Sequence, residues 1–306
     1  GEPFADDPLP EWLTEEVRAQ HWKGCGPHSA REVSGFAPKP DMLAHFPRQP
    51  QEAPDMKAVR AMFDGYDAGV LVADEYVGKI VALLAQLGIE DDTAIMLSSD
   101  HGETLGELNI YGDHQTADQC TSHIPLILKW PGLEAGSERH AFHYQIDVTA
   151  SLLELLGQDV PKGWDGASFA QGLKAGKDEG RDHLIVSQGA WTCQRGVRFE
   201  NWIVISTMHD GYHLFDDVML FDVVADPHEQ VNLAKEKPDI AARGLALLSR
   251  WHETMMPTAA RGRDPLANVV AEGGPYHVRG QLPAYLERLR ATGRSGKADL
   301  LAEKHP

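Results

Sequence analysis

Cysteine is scarce in this sequence: Cys25, Cys120 and Cys193 are the only three in 306 residues, far apart and without metal-ligand spacing. An odd, sparse set excludes a disulfide framework and suits a reducing compartment, so a cytoplasmic setting is favoured over a periplasmic or secreted one. Long apolar runs are missing too, and none approaches the roughly 18 residues that a membrane span needs. The chain opens Gly1-Glu2-Pro3-Phe4 with no charged and then apolar segment, so no signal peptide is read there. Basic charge is in deficit, with 28 Lys and Arg against 46 Asp and Glu and a formal net charge of −18. With no basic stripe to offset it, that balance excludes nucleic acid and an anionic membrane surface as partners. There is no internal repeat and no low-complexity tract.

What is present is enough hydrophobic sequence, 42%, for a substantial core in one large domain or two. The stretch Ala94-Ile95-Met96-Leu97-Ser98-Ser99-Asp100-His101-Gly102-Glu103 stands out. A short apolar run bounded by polar residues predicts a strand buried on both faces of a parallel sheet, and chemistry gathers at the carboxyl ends of such strands. Asp100 and His101 are neighbours, and Gly102 lets the chain turn so that both reach one point, an arrangement that suits a metal ion. The plainer alternative, Asp100 as a cap and His101 as an ordinary loop residue, stays open on these residues alone.

The motifs around that stretch resemble the sulfatases of the alkaline-phosphatase superfamily. Tyr66-Asp67, Ser99-Asp100-His101-Gly102-Glu103 and Ile124-Pro125-Leu126-Ile127-Leu128-Lys129-Trp130-Pro131-Gly132 carry the resemblance. Asp147-Val148-Thr149-Ala150-Ser151-Leu152-Leu153, Trp164-Asp165-Gly166-Ala167-Ser168, Leu220-Phe221-Asp222, Asp226-Pro227-His228-Glu229 and Asn232-Leu233 continue it in order. The resemblance implies an α/β fold: an alkaline-phosphatase-like mixed, mainly parallel sheet flanked by helices, incomplete here, in residues 1–180, and a smaller α+β domain with an antiparallel sheet and a helix in 181–306. It implies hydrolysis of a sulfated small molecule or carbohydrate, with Asp100 and His101 among the ligands of one divalent metal. Calcium is the metal implied by the family, and nitrogen ligation also suits manganese or zinc.

The sequence departs from the family in two places. Sulfatases carry a Cys-x-Pro-x-Arg segment whose cysteine becomes formylglycine, but Cys25-Gly26-Pro27 is followed by His28 and Ser29, so the motif fails. The formylglycine and the remaining ligands are therefore expected outside this chain, in an N-terminal part of the same gene or in a second chain; a homo-oligomer is a further possibility. Where the family has an aromatic-Gly-Lys segment contacting sulfate, this sequence has Tyr111-Gly112-Asp113-His114. A protonated His114, its pKa raised by Asp113, is expected to do the lysine's work. Arg195, Arg198, His209 and His213 are weaker candidates for contacts with the leaving group. Two rival readings remain: a phosphonate monoester hydrolase or phosphodiesterase of the same superfamily, which shares Ser-Asp-His-Gly, and a non-catalytic binding protein on this scaffold.

Along the chain, residues 1–54 read as a long surface excursion with one helix from Glu11 to about Trp22. Three- and four-residue apolar spacing predicts a helix over 55–87, bent or closely packed at Gly65 and Gly69. A buried strand is expected over 124–129 and a helix over 144–156. Short strands follow at 184–187, 196–198, 202–207, 211–215 and 219–222, then an amphipathic helix over 238–254. The tail from Gly273 holds one helix, about 282–290, with little to anchor its end.

Overall fold

The computed structural model describes residues 7–46, 49–259 and 262–306, together with Phe4. Gly1-Glu2-Pro3, read above for a leader, lies outside them. Thr14 rather than Pro10 starts α1 (Glu15–Trp22): its hydroxyl accepts the Val17 N–H, and Glu15 and Glu16 sit in the first turn, where the helix end favours negative charge. The segment around α1 and α2 (Pro40–His45) is no surface excursion. Leu13, Ala30, Val33 and Ala53 are buried against Val59 and Tyr111. Polar groups complete this packing. Glu32, fully buried, accepts from Arg294 Nη1 at 3.0 Å and from Arg288 Nε at 2.9 Å, which ties the N-terminal loop to residues some 260 positions away.

Helix α3 (Met56–Gln86) is capped by Asp55, whose carboxylate accepts the Ala58 N–H at 2.9 Å, and stops before Gly88 in the left-handed region. Its 31 residues span about 46 Å at 1.5 Å each. The helix runs unbroken through Gly65 and Gly69, and a side chain at either glycine would meet open space, so neither marks close packing. Only its first turns are covered. Val70, Val72, Tyr76, Ile80 and Leu83 are all exposed.

The central strand β1 (Ile95–Ser98) is followed by β2 (Thr104–Leu105), β3 (Tyr111–Asp113), the single-turn α4 (Gln119–Ser122) and β4 (Leu126–Lys129). Strands β1 and β4 pair only with each other, antiparallel, from Ile95 opposite Lys129 to Ser98 opposite Leu126. The expected burial is not found in either strand: Met96 and Ile127 are 46% and 63% exposed. An apolar run predicts burial only when its neighbours are present, and among the described residues no further strand lies beside this pair. Helix α5 (Gln145–Leu155) is held by Asp147, which accepts the Tyr144 and Ala167 N–H groups and a two-pronged contact from Nε and Nη2 of Arg181. That carboxylate joins the start of α5 to the turn at Asp165-Gly166 and leads into α6 (Ala170–Ala175).

Strands β5 (His183–Gln188), β6 (Cys193–Phe199), β7 (Trp202–His209) and β8 (Val218–Asp222) form an antiparallel sheet in that order. It is buried on both faces, and alternate residues of β7 show the strand period: Val204 faces α7 (Pro238–Met255), while Ile203 and Ile205 pack with Ala117, Met219 and Phe221. Helix α7 lies so close that a Cβ at Gly244 would meet Val204 at 2.5 Å. The strand expected at 211–215 is absent, because Gly211, Tyr212 and Leu214 all take φ near +60 to +70°, which no strand accommodates. The tail is anchored after all. Helices α8 (Pro265–Ala271), α9 (Leu282–Ala291) and α10 (Ser295–Lys304) follow, and Tyr285, Leu289, Ala298 and Leu301 are buried with Cys25 and Tyr212. Among the described residues, no helix is long and apolar enough to cross a membrane.

Candidate functional site

The chain leaves β1 at Ser98 and passes through Asp100, His101, Gly102 and Glu103 into the β2–β3 hairpin, with His114 just beyond β3. Gly102 is required here by close approach rather than by a left-handed turn: a Cβ would lie 2.0 Å from the Cys120 carbonyl oxygen, and the Gly102 N–H donates to Thr121 O at 2.9 Å. This contact pulls Glu103 inward and sets His101 over His114. The two imidazoles stack at 3.6 Å between centroids with planes 25° apart.

Nitrogen and oxygen atoms of His101, Glu103 and His114 lie within 4.8 Å of one another. The His101 Nδ1 lies 2.8 Å from the Gly102 carbonyl; as a donor there it leaves the Nε2 lone pair free, the arrangement a metal-binding histidine needs. Asp100 sits at the rim, with one oxygen 3.6 Å from His101 Nε2 and the other accepting the His101 N–H. That backbone bond holds its carboxyl below the usual range. Burial, with Asp113 nearby, pushes Glu103 up to about 7. Two imidazoles and two carboxylates fit a divalent cation, whose charge would favour the ionised form of Glu103.

The structure brings His101 and His114 together with Glu103, places Asp100 at the rim beside His101, and adds a layer behind them. Asp113 Oδ2 lies 3.1 Å from Nε2 of His28, a residue of the N-terminal loop, and its Oδ1 lies 3.6 Å from His114 Nδ1. His114 is not the raised, protonated group expected: burial and His101 outweigh Asp113 and move its pKa down, so its ring is neutral near pH 7. Gln188 donates to the His114 carbonyl at 2.7 Å, and the Ala190 carbonyl accepts the His277 N–H, which brings the Trp191–His277 stack to this edge. Glu103 belonged to the quoted motif and could have been chosen as the third acid. His28 carries no local signal that it lies beside Asp113.

The four weaker candidates do not join the cluster. Arg195 is taken up by Asp264, at 2.5 and 2.9 Å, with Trp251 beneath its guanidinium. Arg198 donates to Gln119 and to the Glu200 carbonyl and lies over Phe142. His213 is buried on Phe215 with Nε2 bonded to Gln115 Oε1, and burial drives its pKa down to about 3. His209 lies at the end of β7, where its Nδ1 accepts the Gly211 N–H.

Two family models match the chain: Sulfatase over residues 20–158, and N-sulphoglucosamine sulphohydrolase, C-terminal, over 106–247. The chain is similar to the multifunctional alkaline phosphatase superfamily protein PehA of Trinickia caryophylli, at 32% identity over 59% of this chain and 38% of that protein. It is similar to an N-acetylglucosamine-6-O-sulfatase of Bacteroides thetaiotaomicron at 27% identity, over 68% of this chain and 38% of the relative. Among solved structures, a phosphonate monoester hydrolase from Silicibacter pomeroyi shares the fold with a TM-score of 0.62 at 21% identity, covering 86% of this chain and 52% of that one. The chain thus spans about 38% of the length of these two curated relatives.

Proposed function

From the two sulfatase-family models that match residues 20–158 and 106–247, we propose that the chain belongs to the sulfatases of the alkaline-phosphatase superfamily and carries one side of a metal-dependent site for the hydrolysis of sulfate esters of small molecules or carbohydrates. The observation that supports this reading most is the convergence of His101, Glu103 and His114 at the end of β1, inside the segment that the Sulfatase model matches. In this proposal Asp100, His101 and Glu103 hold one divalent cation, and His114 orients a sulfate oxygen through its neutral ring. The cation neutralises charge on the sulfate oxygens. With one imidazole beside two carboxylates, this donor set suits manganese or zinc as well as the calcium that the family resemblance implies.

The formylglycine nucleophile and the carboxylates that complete the metal site belong, in this reading, to residues outside these 306, in the same polypeptide or a second chain. The uncovered faces of β1, β4 and α3 support this, since they offer apolar surface where further strands and helices of the large domain, proposed to extend to about residue 180, would pack. A phosphonate monoester or phosphate diester is the second reading, in keeping with the 32% identity to PehA, a multifunctional protein of the alkaline-phosphatase superfamily.

Sulfate release from a sulfated amino sugar and from an aryl sulfate, measured beside hydrolysis of a phosphonate monoester on the protein with its formylglycine-bearing part, separates these readings. Preferred turnover of the sulfate esters is expected, and His114→Ala is expected to lower it about a hundredfold. Preferred turnover of the phosphonate would move the assignment to the second reading. No turnover of any ester would leave a binding protein.

A further inference from the structure

A second group of metal-type donors lies apart from the site above, where α10 ends against the small sheet. We propose that His209, Asp210 and His305 form a structural site for a divalent transition-metal ion of the zinc type. Their ligand atoms lie within 4.8 Å of one another, and they come from two segments 95 residues apart, the end of β7 and the residue after α10.

Asp210 is fully buried. Its Oδ1 lies 2.8 Å from His305 Nε2 and accepts the Tyr212 N–H at 2.9 Å, whereas its Oδ2, also buried, makes no hydrogen bond. A buried carboxylate oxygen without a hydrogen bond is costly, and a directly bound cation would satisfy it. The nearest charge to it is Lys304 Nζ at 3.4 Å, longer than a hydrogen bond and shared with Asp217 at 3.7 Å and the Phe215 carbonyl. Lys304 can therefore yield Asp210 to a metal and keep two partners. Lys304 itself lines an open surface cleft together with Asp216, Asp217 and Glu303. The His305 and His209 rings lie 4.6 Å apart between centroids. His209 is the weaker donor, because its Nδ1 lone pair is in use by the Gly211 N–H at 3.1 Å and must exchange that bond.

Imidazole with one carboxylate selects zinc, nickel or copper over calcium and magnesium, which prefer oxygen alone. On binding, the ion takes the place of the hydrogen bond between His305 Nε2 and Asp210, and the neutral His305 ring carries its proton on Nδ1.

Zinc titration of the tag-free protein against a chromophoric chelator tests this, in a His101→Ala, His114→Ala background that removes the first cluster. One zinc per chain is expected, with His305→Ala weakening it at least about tenfold and His209→Ala less. Lys304→Gln, which frees Asp210 of its competing charge, is expected to tighten binding. No zinc bound in that background, unchanged affinity in His305→Ala, or weaker binding in Lys304→Gln would each overturn the proposal.

Discussion

At the scale of single residues, the site depends on a hydrogen atom. Gly102 faces the Cys120 carbonyl where a methyl group would stand 2.0 Å from oxygen, so Gly102→Ala must push the two backbones apart. A loss of about 1–3 kcal/mol in stability is expected from such overpacking, read by urea unfolding. Metal binding at His101 and Glu103 should weaken with it, since the same displacement separates their donors. An unchanged unfolding midpoint would show that the hairpin gives way freely. The sequence marks Gly102 as a turn residue, but the reason for it is a carbonyl 18 positions further along, which no local pattern carries.

At the scale of elements, α3 makes the clearest prediction. Val72 and Ile80 are 51% and 60% exposed on a helix whose stability rests on its cap and its first turns. Glutamate at both positions is expected to change the melting temperature of this chain little, and to reduce its self-association in analytical ultracentrifugation. A large destabilisation would mean that those side chains are already covered. Much of this level was legible beforehand: α3, α5, α7 and four of the five expected short strands follow from apolar spacing and from their caps. The failures share a physical cause. The N-terminal loop is buried through Glu32, Ser29, Ser34 and Gln51, whose burial is made possible by partners rather than by hydrophobicity, so periodicity does not see it. Residues 211–215 alternate like a strand but are set by a left-handed turn. β1 is apolar as expected yet bare, because burial is a property of neighbours. In the site, Asp100 and His101 were legible from a motif, whereas His28 and Asp113 meet only after folding.

For the whole molecule, buried histidines govern the response to acid. His213 titrates near 3 and His209 near 4 in the folded chain, both pushed down first by burial, against about 6.5 when unfolded. Above pH 6.5 both are neutral in either state and impose no penalty. As pH falls from 6.5 toward 3 the unfolded chain takes up protons that the folded chain refuses, so stability declines over that window. For Asp210, burial acts upward, but the His305 contact and neighbouring positive charges bring it down to about 2, so its contribution is held above pH 4 and lost below it. Urea unfolding at pH 7, 5.5 and 4.5 should therefore give a falling free energy, with a shallower fall in His213→Gln. An identical slope in that variant would remove His213 as a source.

The buried carboxylate of Glu32 has a consequence in time as well as in space. Both of its arginine partners are made after more than 250 further residues, so during synthesis the loop that carries His28 emerges with a charge it cannot yet pair. The loop can lock only when α9 and the residues just beyond it have left the ribosome. His28 is then held beside Asp113 among the last events of assembly, and a chain released before Arg294 would leave that side of the site unset.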